Sequence, residues 1–98
     1  MLVYRGSKEA VAKAVERILS DEMGSRANVI VRDAAQLTGG QGQYVRVLGT
    51  EEQEARIREL VGSELEEVKG EELERVVNAL QEEDERALSG MGMIFGGE

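Results

Sequence analysis

The chain has no cysteine, histidine, proline or tryptophan, and only two tyrosines and one phenylalanine among its 98 residues. Without cysteine there are no disulfides, thiolate nucleophiles or zinc–sulfur sites, and the redox compartment is unreadable. Without histidine the usual general base and the commonest transition-metal ligand are missing. Ser7, Ser20, Ser25, Ser63 and Ser89 therefore have no imidazole to activate them. No apolar run approaches the ~20 residues that cross a bilayer, and the first eleven residues lack the apolar core of a signal peptide. These absences lead to the expectation of a cytoplasmic protein that is not an enzyme, carries no cofactor or metal, and has no membrane contact. A single domain of this length buries roughly 60–65% of its unfolded surface, which favours a surface site over a deep cleft.

What the chain does have is charge, unevenly spread. Residues 1–50 carry seven basic and five acidic groups, whereas residues 51–98 carry five and fifteen, for a formal total of −8. A polyanion is repelled by the second half whatever the first half offers, so nucleic acid is not the expected partner. The acids are nearly all Glu and the bases mostly Arg. That balance, with no cysteine, suits a heat-adapted protein, although the lack of proline argues the other way.

Hydrophobic periodicity supplies the elements. Residues 2–4 are a short apolar run before Gly6, consistent with an opening strand. Ser7 can cap a helix over residues 8–22, with Val11, Val15, Ile18 and Leu19 on its apolar stripe and Gly24 as its left-handed terminator. From Arg26 the pattern alternates through Val29 and Val31 to Arg32, and again from Tyr44 to Leu48, predicting two strands. Residues 33–43, with Gly39, Gly40 and Gly42, join them as a glycine-rich hairpin loop. Thr50 and Gln53 have capping-box spacing before the apolar Ile57, Leu60 and Val61. Glu52/Arg56 and Glu54/Arg58 stand at i,i+4 spacing on that helix. Residues 65–69 read equally as a helical turn or a short edge strand. A third helix follows Gly70 to about Ala87, and residues 89–98 form a glycine-rich apolar tail.

With a strand at 65–69, the order is the βαββαβ of a ferredoxin-like fold, an α+β two-layer sandwich carrying an added C-terminal helix over residues 1–88. With a helix there and a strand in the tail, the order is αββααβ and resembles the KH arrangement of the second topological type. Neither architecture brings its binding motif. RNA-recognition domains stack bases on several aromatics of their third strand, and residues 40–48 offer Tyr44 alone. The KH loop needs a second glycine where Glu9 stands after Gly6.

The remaining candidates are surfaces. The glycines joining two strands lack the strand-to-helix setting and spacing of a phosphate loop, so a turn is the simpler reading. The acidic clusters lack the spacing of a calcium loop. Arg26, Arg32, Tyr44 and Arg46 lie on the only stretch that is not strongly acidic and are the candidate anion contacts. Met91, Met93, Ile94 and Phe95 are candidate protein contacts, either as an edge strand packed on the domain or as a docking segment. The functional expectation is a small acidic protein-interaction or assembly module that forms a homodimer. A weak single-stranded nucleic-acid binder and a small-ligand regulatory domain are the alternatives.

Overall fold

A computed structural model describes the backbone of residues 1–96 and the side chains of residues 1–86. The chain runs β1 (Leu2–Gly6), α1 (Lys8–Ser20), a 3-10 turn (Gly24–Arg26), β2 (Asn28–Asp33), α2 (Ala34–Leu37), β3 (Gln43–Leu48), α3 (Glu51–Val61), β4 (Glu66–Glu67) and α4 (Gly70–Gly96). The strands form one antiparallel sheet in the order β2-β3-β1-β4. The α+β class holds. Glu66 and Glu67 pair with Arg5 and Tyr4 of β1, so residues 65–69 contribute a strand and the KH-like order is not adopted. The loop expected at 33–43 contains the short helix α2.

Local chemistry sets the helix ends. Ser7 Oγ accepts from the Ala10 amide at 3.2 Å, and Thr50 and Gln53 complete a reciprocal capping box at 3.2 and 3.0 Å. The end of α1 departs from expectation. Gly24 is not left-handed. The helix stops at Ser20, and Asp21 takes an extended conformation. Space favours Gly24 there, because a Cβ would crowd the Ile18 carbonyl at 3.0 Å.

Asp21 is the keystone of this corner. Its carboxylate accepts from the amides of Met23 (3.1 Å) and Gly24 (2.8 Å) and from Arg56 Nε (3.0 Å) and Nη2 (2.8 Å) of α3. The expected i,i+4 pairs on α3 are accordingly replaced: Arg56 binds Asp21 and Glu59, Arg58 binds Glu67, and Glu54 takes the N-terminal ammonium. The hydrogen bond from Arg56, then that from Gly24, holds the Asp21 carboxyl below its ordinary value near 3.8. A depressed carboxylate stabilises the fold above its unfolded-state pKa and loses that contribution as pH falls through the folded value. Asp21→Asn should therefore lower the melting temperature at pH 7, with the gap to wild type closing as both proteins are melted at progressively lower pH below about 4. A gap that persists unchanged into acid would assign the loss to packing.

The core has two halves, one on each face of the sheet. On the first face Leu2, Tyr4, Val45 and Val47 pack with Val11, Ala14 and Ile18 of α1 and Ile57 and Val61 of α3. Leu19, expected on the α1 stripe, is exposed. On the second face Val3 and Tyr44 pack with Ala34 of α2, Val68, and Val76 and Leu80 of α4. Helices thus lie on both faces, which corrects the two-layer expectation. The second cover is partial, since Ile30 and Arg46 are half-buried and Leu48 is exposed. The 27 residues of α4 make about 40 Å of helix, twice the ~20 Å of a six-residue strand. No residue from 81 to 86 is buried, so the apolar contact of α4 with the sheet ends at Leu80.

Candidate functional site

Three of the four candidate anion contacts share the second face. Tyr44 stands across from Arg32, and Arg46 stands across from Ile30. Arg26 lies apart, in the 3-10 turn, paired with Glu22 at 3.7 Å. Tyr44 is 4% exposed, so its ring offers no face for stacking. Arg32 is engaged twice, from Nε to Glu83 Oε2 (3.1 Å) and from Nη1 to the Val31 carbonyl (2.9 Å). Arg46 has a buried Nε without a hydrogen-bond partner. The residues are adjacent, yet they do not assemble as an open cationic surface. The tail cluster Met91, Met93, Ile94 and Phe95 lies outside the described side chains. Its backbone continues α4.

The polar joint around Glu72 has no local sequence signal, because its members come from five separate elements and loops. Glu72 Oε2 accepts from Arg5 Nη1 (2.7 Å) and from the Tyr44 hydroxyl (2.8 Å). Thr38 Oγ1 is 3.2 Å from that hydroxyl, and Arg5 also reaches Glu66 at 2.7 Å. Burial is the main reason the Tyr44 phenol is raised above its ordinary value; Thr38 opposes the shift and Glu72 adds to it. The phenol therefore stays a neutral donor near pH 7. A cleft of about 530 Å³ beside the joint is lined by Thr38, Gln41, Tyr44, Glu72 and Arg75, and a wider one of about 930 Å³ lies where β1 enters α1. The joint fastens the first turn of α4 to β1 and β3. Among the described residues no cluster of three or more acidic side chains is placed to hold a metal ion, and no helix is long and apolar enough to cross a membrane.

The clearest unsatisfied surface is the outer edge of β2. The Ala34 amide donates to the Gly42 carbonyl at 2.9 Å, and residues 34 and 42 continue the β2–β3 register in which Asn28 faces Leu48 and Asp33 faces Gln43. Antiparallel pairs alternate between those that exchange hydrogen bonds and those that do not. Asn28, Ile30 and Arg32 therefore bond to β3, while the backbone groups of Val29, Val31 and Asp33 point outward. The position of the Val31 carbonyl, within reach of the Arg32 guanidinium, agrees with that parity. Among the described residues no strand pairs on this side. The opposite edge, β4, has only two residues, both Glu, which blunts it against addition. Sequence patterning marks both as strands but cannot say which strand is an edge, since order and parity are set by long-range pairing.

Comparison with protein-family models, with curated proteins and with solved structures finds no match to this chain.

Proposed function

We propose that this chain is a ferredoxin-like, non-catalytic protein-interaction module that associates with a second copy of itself through the free edge of β2. The βαββαβ succession with strand order β2-β3-β1-β4 supports the fold name. The observation that carries the function is the outward row of Val29, Val31 and Asp33 backbone groups on a six-residue strand without proline, lysine or bulge. An unpaired row of this kind is a template for strand addition.

A second copy fits that row. In a two-fold antiparallel pairing centred on Ile30, Val29 of each copy exchanges hydrogen bonds with Val31 of the other, giving about four backbone bonds. The two half-buried Ile30 side chains then meet at the axis, and Arg32 faces Asn28. Centring on Val31 would instead bring the two Arg32 side chains within ~7–8 Å of each other. The Asp33 backbone, at φ −67°, already has the angle proline requires.

The test is sedimentation of wild type, Val31→Pro and Asp33→Pro from micromolar to millimolar concentration. Both proline variants remove an outward N–H without touching the β3 ladder. Val31→Pro should lose self-association by at least about tenfold, the worth of one or two such bonds, whereas Asp33→Pro, whose N–H lies outside the four-bond pairing, should leave it nearly unchanged; both should keep the circular dichroism spectrum. Because the chain has no cysteine, Ile30→Cys provides a unique thiol that should form an intermolecular disulfide under mild oxidation. Deleting residues 89–98 tests whether the apolar tail adds to the same contact, with a weaker dimer as the expected result. A wild-type chain that stays monomeric at millimolar concentration, with no Ile30→Cys crosslink, would reject the proposal.

A further inference from the structure

We infer that Arg32 gates the β2 edge, holding it closed to an added strand until its guanidinium is displaced. The inference rests on the reading of that edge as the contact surface and concerns its control. An antiparallel partner must use the outward carbonyls of Val29 and Val31 as acceptors. The Val31 carbonyl is already occupied by Arg32 Nη1 at 2.9 Å, a charge-assisted bond of the stronger kind. The guanidinium is held there from a second side, since Nε donates to Glu83 at 3.1 Å.

Glu83 belongs to α4, not to the sheet, and its side chain is one-third exposed. It lies just past the apolar contact of α4 with the sheet, one turn beyond Leu80, the last buried residue of the described helix. The edge of β2 is therefore tied to the position of α4. Displacing α4 at Glu83, or screening the Arg32–Glu83 pair, frees the guanidinium to swing off Val31. An arginine that merely neutralised a surface carboxylate would have no need to reach back to its own strand's outward carbonyl.

The sign of the effect makes the inference testable. Removing a paired surface arginine ordinarily leaves association unchanged or weakens it. Here Arg32→Ala should tighten self-association about three- to tenfold, because the incoming strand no longer displaces a charge-assisted hydrogen bond. Glu83→Gln, which weakens the hold without removing the guanidinium, should tighten it less. Arg32→Ala combined with Val31→Pro should return to the weak level of Val31→Pro alone. Sedimentation equilibrium of the full chain provides the constants. Amide exchange gives an independent readout, with Val29 and Val31 becoming protected at lower protein concentration in Arg32→Ala than in wild type. If Val31→Pro weakens the dimer while Arg32→Ala leaves it unchanged or also weakens it, the gate is wrong and the edge stands. If neither substitution changes an observed dimer, or no variant associates, the edge itself is wrong.

Discussion

Val76→Asp should lower the melting temperature by about 15 °C or more, and in a marginal background should leave the chain unfolded at 37 °C. Val76 is fully buried on the second face of the sheet, in one cluster with Val3, Tyr44, Val68 and Leu80. An aspartate there places a carboxylate among these apolar side chains, a change that costs about 3–5 kcal/mol. In a domain of this size each kcal/mol moves the midpoint by roughly 4–8 °C. Asn78→Asp, two residues on and exposed, introduces the same charge on the same helix and should move the midpoint by under about 2 °C. Thermal melts by circular dichroism provide both numbers. A tolerated Val76→Asp would mean that α4 does not cover the sheet, and the two-layer picture would return.

That prediction turns on the part of the fold that the sequence left open. The helix after Gly70 is legible from Leu73, Val76, Val77 and Leu80 at helical spacing. What the pattern cannot state is which sheet face receives the stripe. Alternation in β1 and β3 makes both faces partly apolar: Leu2, Tyr4, Val45 and Val47 on one side, Val3 and Tyr44 on the other. Two helices satisfy the first side, and the second side is where the added helix goes. The caps at Ser7 and Thr50 were legible because capping is decided within four residues. The pairs of α3 depart from expectation for the opposite reason. Arg56 has an i,i+4 acid in Glu52, yet Asp21, thirty-five residues away, offers a carboxylate already fixed by two backbone amides. A pre-ordered partner costs less side-chain entropy than a free glutamate. The proposed contact edge falls in the same class. The residues of β2 are legible from their alternation, but the outward parity of Val29, Val31 and Asp33 follows from pairing with β3, and the reach of Arg32 from the packing of α4. Local sequence carries no signal for either.

The second large effect concerns the glycine-rich hairpin, and it separates two reasons why a position takes glycine. Gly39 and Gly42 both adopt positive φ, +77° and +82°, so alanine at either position pays about 1 kcal/mol or more for a left-handed backbone. Around Gly39 an added Cβ meets nothing within 4 Å, whereas at Gly42 it would sit 2.5 Å from the Gly6 carbonyl oxygen of β1. That oxygen cannot step aside cheaply, because Gly6 is paired with Gln43 across the β1–β3 ladder and the next residue, Ser7, caps α1. Gly42→Ala should therefore cost about 3 kcal/mol or more, a midpoint loss of at least about 12 °C. Gly39→Ala should lose about a third of that. The difference between the two variants isolates the close approach of the hairpin to β1, since their backbone penalties nearly cancel. Equal losses would mean that the loop is held only by its own turn geometry. A much larger loss at Gly42 would show that the turn after α2 is built against the β1–α1 junction, so that the outward parity of β2, fixed by the Ala34–Gly42 bond at the same turn, is anchored in the body of the domain.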